Sequence, residues 1–225
     1  MKKRKIKKII LSFTGIIILF ILVVIINLII FEKNALVISE GEPITNNNQN
    51  RALLVIDIQE ATTGENSSNL YYKEKSADLI SGINLLSNYF SNENSLVIYI
   101  RSEVTNPLIN LINNSLAKGG AGAKFDKRLI LNSEIEIVKS RNDAFINTEL
   151  DNILTKNKIS ELYIVGLDAA YCINITSAAA LNRNYKVHLV KEAILSESET
   201  LKDSMITVLE KRGITILDLK DIVRY

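Results

Sequence analysis

Cys172 is the only cysteine in 225 residues, and it stands where a strand-like run, Glu161 to Gly166, passes through Leu167-Asp-Ala-Ala-Tyr171 into an apolar helical stretch, Ile173 to Leu181. A thiol at such a turn meets the first helical N–H groups and the positive end of the helix dipole, and both favour thiolate over thiol. Two more polar residues end strand-like runs: Asp57 after Ala52-Leu-Leu-Val-Ile56, and Lys139 after Ile135-Glu-Ile-Val138. Gathered at one edge, a thiol, a carboxylate and an ammonium supply a nucleophile, a proton acceptor and a charge that favours the thiolate. Each has a plainer reading. A buried cysteine often only fills space, Asp57 suits a turn cap, and Lys139 suits a solvated strand end.

The elements that must position these residues begin near Arg51. Short β-branched runs, Ala52–Ile56, Ser95–Ile100, Ile135–Val138, Leu162–Val165, Lys186–Val190 and Ile214–Leu217, alternate with longer amphipathic ones, Ser76–Phe90, Thr148–Asn157, Cys172–Asn184 and Glu197–Arg212. Strands that are apolar on both faces and bracketed by helices predict a six-stranded, mainly parallel sheet in a three-layer α/β/α domain over residues 51–225. In such sheets ligands bind beyond the carboxyl ends of the strands, where Asp57, Lys139 and Cys172 fall. The stretch from Ser102 to Glu134, with Pro107 and Lys118-Gly-Gly-Ala-Gly-Ala123, reads as a long irregular insertion of the kind that often carries function. It and the segment Ala61–Lys75 are where substrate choice is expected to lie, with Tyr71, Tyr72 and Phe125 as candidate walls of a pocket.

Ahead of the domain, residues 1–8 hold a basic cluster, Lys2, Lys3, Arg4, Lys5, Lys7 and Lys8, and residues 9–31 run apolar and uncharged. At ~1.5 Å per residue a helix of that length spans the roughly 30 Å hydrocarbon core of a bilayer. The apolar run is longer than that of a typical cleaved signal and lacks small residues at its end, so it reads as an uncleaved transmembrane anchor. The basic flank places the amino terminus in the cytoplasm and the domain outside, in a single-pass protein of the cell membrane. Residues 32–50, ending in Asn46-Asn-Asn-Gln-Asn50, read as a polar linker. An outward-facing domain with one thiol has no internal disulfide, so a packed core must hold it together. A net charge of +2 that includes the amino-terminal cluster leaves the domain without the basic surface that nucleic acid requires, so no nucleic-acid partner is expected.

The runs Ala52-Leu-Leu-Val-Ile-Asp-Ile-Gln59, Lys139-Ser-Arg-Asn-Asp-Ala-Phe-Ile-Asn-Thr-Glu-Leu150 and Val165-Gly-Leu-Asp-Ala-Ala-Tyr-Cys-Ile-Asn174, followed by Thr176, Ala178 and Ala179, resemble the isochorismatase-like cysteine hydrolases in order and spacing. That family includes nicotinamidases and N-carbamoylsarcosine amidases. The segment Gly119–Leu129 resembles the family more loosely. The resemblance implies that Cys172 attacks a carbonyl carbon, Asp57 carries the proton to the leaving amine, and Lys139 holds both charges, through a thioester intermediate. It also implies a cis peptide between Leu167 and Asp168, with the Asp168 and Cys172 backbone N–H groups aimed at the oxyanion.

The departures carry weight too. Relatives that bind a metal supply an Asp-x-His pair and a further histidine, whereas His188 is alone here and alternates within a strand, so neither a metal nor another cofactor is expected. Asp168 and Ala169 stand where many relatives have a small residue and threonine. The Asp168 carboxylate either disfavours anionic substrates or points away. Isochorismatases proper lack the cysteine, so Cys172 argues for C–N hydrolysis of a small amide or ureide. Homo-oligomers are common in the family, but an anchor on each chain would require every tether to reach one membrane face. The alternatives are a catalytically silent binding or assembly module of the same fold and, less well founded without a resolving thiol, a redox sensor. On this reading fast alkylation at neutral pH would mark an activated Cys172.

Overall fold

A computed structural model describes residues 2–45 and 48–223. Asn46 and Asn47 of the expected linker, and the side chains of Lys2 to Lys5 in the basic cluster, lie outside the described residues. Six strands form one parallel sheet in the order β3-β2-β1-β4-β5-β6. They are β1 (Asn50–Ile56), β2 (Leu96–Ser102), β3 (Glu136–Lys139), β4 (Ile159–Gly166), β5 (Lys186–Ile194) and β6 (Thr215–Leu217). From β1 the chain steps outward through β2 to β3 and then returns to place β4 on the other side of β1. The crossing direction therefore reverses between β1 and β4, which opens a crevice beyond their carboxyl ends.

Alternation along the strands divides the core into two layers. Leu53, Val55, Val97, Tyr99 and Val165 pack on α2 (Leu70–Asn92) through Leu79, Ile83, Leu86 and Phe90, with α7 (Leu219–Ile222) beside it. Leu54, Ile56, Ile98, Ile164 and Leu189 face α4 (Leu150–Lys156), α5 (Cys172–Asn182) and α6 (Glu199–Lys211). Helix α2 begins at Leu70, ahead of the expected Ser76, because the Asn69 side chain accepts from the Tyr71 and Tyr72 amides and caps it. Strand β5 runs past Val190 to Ile194, which pairs with Gly166. At Gly166, φ is +114° and a Cβ would collide with the Ile56 carbonyl, so only glycine lets β4 lie this close to β1.

The insertion between β2 and β3 is not wholly irregular. It contains α3 (Pro107–Ile112), capped by Asn106, and a 3-10 turn, Ala121–Ala123. Ahead of the domain, α1 (Lys2–Ala35) continues past the apolar run to Ala35, and its segment Ile6–Ala35 is long and apolar enough to cross a membrane by length and composition. Most of its apolar side chains, Phe13, Leu19 and Ile30 among them, stand exposed. A half-buried stripe at helical spacing, Val24, Asn27, Leu28, Phe31, Asn34 and Ala35, is the exception. The stretch after α1 lies along the domain: the Ser39 amide donates to Asp143, the Ile44 amide donates to the Arg183 carbonyl, and Arg183 donates to Ser39 and Glu40.

Candidate active site

The ends of β1, β2 and β3 and the start of α5 converge on one ammonium group. Lys139 Nζ donates to Asp57 Oδ2 at 2.8 Å, to Ser102 Oγ at 2.7 Å and to Cys172 Sγ at 3.1 Å. Ser102 in turn donates to Asp57 Oδ1 at 2.9 Å. Lys139 is 1% exposed and Asp57 6%, so each charge depends on the other for compensation. Asp57 and Lys139, singled out from sequence at strand ends, and Cys172, singled out at the turn into the following helix, therefore meet in a single cluster.

Local structure explains the placement. Asp57 leaves β1 with φ of +57°, a left-handed conformation that aspartate tolerates better than most residues. Its amide donates to the Ile100 carbonyl and its own carbonyl accepts from Thr62 Oγ1, which turns the carboxylate into the crevice. Buried Gln59 donates to the Ser102 and Ala123 carbonyls and accepts from the Ser102 amide, so one side chain pins the end of β2 to the insertion. Ser102 was not anticipated. The β2–β3 register, which sets Ser102 beside Lys139, is the signal that exposes it. On the other flank Thr176 of α5 donates to the Asn142 carbonyl and accepts from the Ala144 amide, holding the loop after β3 against α5. The Cys172 thiol donates to Asn142 Oδ1 at 3.5 Å.

The electrostatics correct the expectation of a resting thiolate. Burial, and after it the Asp57 charge, push the Cys172 thiol up to about 12, and the opposing pull of Lys139 does not offset them. Lys139 is held above the usual lysine range, burial being outweighed chiefly by the charge of Asp57, with its hydrogen bonds to Asp57 and Cys172 adding to the rise. Burial therefore favours the neutral thiol at rest, and the sulfur becomes a nucleophile as its proton leaves. Slow alkylation at neutral pH consequently does not mark an inert cysteine.

The peptide between Leu167 and Asp168 is cis. Neither the Asp168 nor the Cys172 amide N–H donates to a protein acceptor among the described residues. The Asp168 carboxylate turns away from this pair of donors. It accepts from Tyr72 Oη at 2.5 Å, Ser196 Oγ at 3.0 Å and the Ala170 amide at 2.5 Å. His188 lies apart from the cluster, stacked on Tyr163 at 4.6 Å between ring centres.

A cavity of about 290 Å³ opens beside Cys172 and Asp57. Its apolar wall is made by Phe31, Ala35, Val104, Ile109 and Leu116. The tyrosines and phenylalanine expected to form that wall are engaged elsewhere: Tyr71 with Glu199, Tyr72 with Asp168, and Phe125 edge-on against Tyr99. A larger cavity, about 620 Å³, lies at the opposite end of the sheet among Asn50, Arg51, Ser95 and Asn157, without a nucleophile.

A family model described as "Isochorismatase domain" matches residues 51–221. The uncharacterized isochorismatase family protein YddQ of Bacillus subtilis (strain 168) is 26% identical over 156 residues, which is 69% of this chain and 83% of that protein. Among solved structures, the N-carbamoylsarcosine amidase of Thermoplasma acidophilum superposes with a TM-score of 0.65 at 24% identity, over 79% of this chain and 100% of the other. A cysteine hydrolase from Pseudomonas syringae pv. phaseolicola 1448A gives 0.70 at 18% identity, over 83% and 97%. These likenesses show a shared fold.

Proposed function

The chain belongs to the isochorismatase domain family, and from that premise we propose a membrane-anchored cysteine hydrolase that cleaves a C–N bond of a small amide or ureide through Cys172, Asp57 and Lys139. The observation that carries this reading is the single ammonium of Lys139 within hydrogen-bond reach of both the Asp57 carboxylate and the Cys172 sulfur. The amidase likeness among solved structures supports the C–N bond as the target.

The raised thiol sets the order of events. As the sulfur approaches a carbonyl carbon, its proton passes to Asp57, an S–C bond forms, and the carbonyl oxygen gains the charge. The free amides of Asp168 and Cys172 are the donors available to that oxygen. Collapse breaks the C–N bond, and Asp57 returns the proton to the leaving nitrogen. Water then gives a proton to Asp57, forms a C–O bond and expels the thiolate, which recovers the proton. Lys139 stays charged throughout and keeps the carboxylate and the transient thiolate from repelling one another. The balance is amide plus water to carboxylic acid plus amine.

Membrane attachment through α1 is supported by the length of its apolar segment and the exposure of its side chains, which a core helix would bury. The basic residues before the span and the absence of such a cluster after it favour a cytoplasmic amino terminus. The test is ammonia release by the full chain, in detergent, from a panel of small amides, ureides and carbamoyl compounds together with a long-chain primary amide, decanamide, with Cys172→Ala alongside. Turnover lost in the variant supports the hydrolase. Silence across the panel from a folded protein, together with protection of the domain from protease added to intact cells, overturns both the activity and the orientation.

A further inference from the structure

The membrane helix is part of the catalytic cavity. Phe31 and Ala35, from its last turns, line the space beside Cys172 together with Val104, Ile109 and Leu116 of the insertion. They belong to the half-buried stripe that α1 turns toward the domain. Two polar contacts fix the docking: Asn106, the cap of α3, donates to Asn27 Oδ1 at 3.0 Å, and Arg141 donates to the Asn34 carbonyl at 3.0 Å. Asn27, an odd residue in an apolar run, thus has its partner on the domain.

Depth follows from helix geometry. Asn27 lies one turn before Phe31, the end of the uncharged run, so α3 meets α1 about 6 Å inside that end at ~1.5 Å per residue. On α3, Leu111 and Ile112 are 70% and 59% exposed. Leu36, Val37 and Ile38, just past α1, are exposed as well. An apolar fringe at that depth matches the headgroup–acyl boundary, where amphipathic segments seat about 5–10 Å deep.

We infer that the cavity opens onto the membrane boundary, with Leu111 and Ile112 seated in lipid, and that the substrate is an amphiphilic amide drawn from the bilayer. This rests on the hydrolase reading and narrows its substrate class. The apolar tail of such a molecule lies along Phe31, Ile109 and Leu116, and its carbonyl reaches Cys172 without crossing bulk water. A small polar amide would gain nothing from this wall.

The test uses the single cysteine as a reporter. The full chain is placed in phosphatidylcholine vesicles and alkylated with iodoacetamide or N-decyl iodoacetamide, each rate being divided by the same probe's rate with free glutathione. Cys172 is expected to take the decyl probe faster by roughly tenfold or more, and the double variant Leu111→Ser, Ile112→Ser should bring the ratio within about threefold. Mere enrichment of the probe in lipid would survive those substitutions. With the labelling run at about pH 10, where the raised thiol is expected to react, equal normalised rates in the parent, an advantage unchanged in the variant, or no labelling by either probe overturns the inference. None of these outcomes touches Cys172-dependent ammonia release across the amide panel, decanamide included, which alone decides the hydrolase reading.

Discussion

Lys139 Nζ lies 3.1 Å from Cys172 Sγ and 2.8 Å from Asp57 Oδ2, with its third hydrogen directed to Ser102 Oγ. All three donors of the ammonium are therefore committed, and a guanidinium would not reproduce this compact point charge. On the proposed mechanism the lysine is a structural counter-charge as much as a catalytic one, which separates its removal from the removal of Asp57.

Lys139→Met leaves the Asp57 carboxylate buried without its partner and is expected to cost about 3–5 kcal/mol of stability. Asp57→Asn keeps the shape but removes the proton acceptor, so kcat should fall about 10²–10⁴-fold while the protein stays folded. The double variant should recover much of the lost stability and none of the turnover. Urea denaturation and single-substrate kinetics on the three proteins read these effects; a Lys139→Met protein as stable as its parent would overturn the counter-charge role.

The thiol supplies a pH signature. It sits at about 12 in the folded protein against an ordinary 9.0, so the folded state keeps a proton that the unfolded state releases. Its contribution to stability is full below pH 9 and is lost as pH rises toward about 12. Cys172→Ala should flatten that alkaline decline. Iodoacetamide labelling of the parent should climb steadily above pH 9 without levelling near it, and Asp57→Asn, which removes the second largest cause of the shift, should speed labelling at pH 8. A plateau near pH 7 in the parent would mean a resting thiolate and refute this account.

Ser102→Ala removes one partner each from Asp57 and Lys139, leaving both short of a hydrogen bond. The stability loss should be about 1–3 kcal/mol, the cost of an unsatisfied buried polar group. Because Ser102 orients the carboxylate and does not carry the proton, kcat should drop by roughly tenfold, far less than for Asp57→Asn. A Ser102→Ala variant with the same kcat as the parent would reduce the serine to a spectator.

The strands were legible wherever the chain is apolar on both faces. Leu53 to Ile56 and Leu162 to Val165 admit little else, and the polar residues closing β1, β3 and β4 could be read as one edge. Boundaries failed where a local signal misled. The expected run stopped at Val190, before the charged Lys191 and Glu192, yet β5 continues because Ala193 and Ile194 are buried and Ile194 pairs with Gly166. Ser102 carries no pattern of its own and emerges only from the β2–β3 register. The cavity wall was misassigned because a span of apolar residues reads as a unit facing lipid. No periodicity rule distinguishes Phe31 and Ala35, which turn back onto the domain, from Ile29 and Ile30, which do not.

Arg183 fastens the stretch joining α1 to the domain, alongside Asp143 and Asn182 at Ser39, and its release can be measured. Arg183 is buried, lies 4.2 Å over the Phe145 ring, and donates to the Ser39 and Glu40 carbonyls and to Asp151. Gly41 passes so close to this guanidinium that a Cβ there would collide with it. The Asp151 pair is half exposed on the carboxylate side, so Asp151→Ala should cost no more than about 1 kcal/mol. Arg183→Ala instead removes the stacking on Phe145 and two backbone contacts, at about 2–4 kcal/mol. A glutamate-specific protease should then cut after Glu40 in Arg183→Ala, spare the parent, and cut Asp151→Ala little more than the parent; the Glu42–Pro43 bond resists such a protease in all three. Equal cleavage of all three would show that the segment gains no protection from Arg183. Preferential cleavage of Arg183→Ala would establish that the residues leading from α1 are fastened beside the site, so that the Phe31 wall stays in register with Cys172.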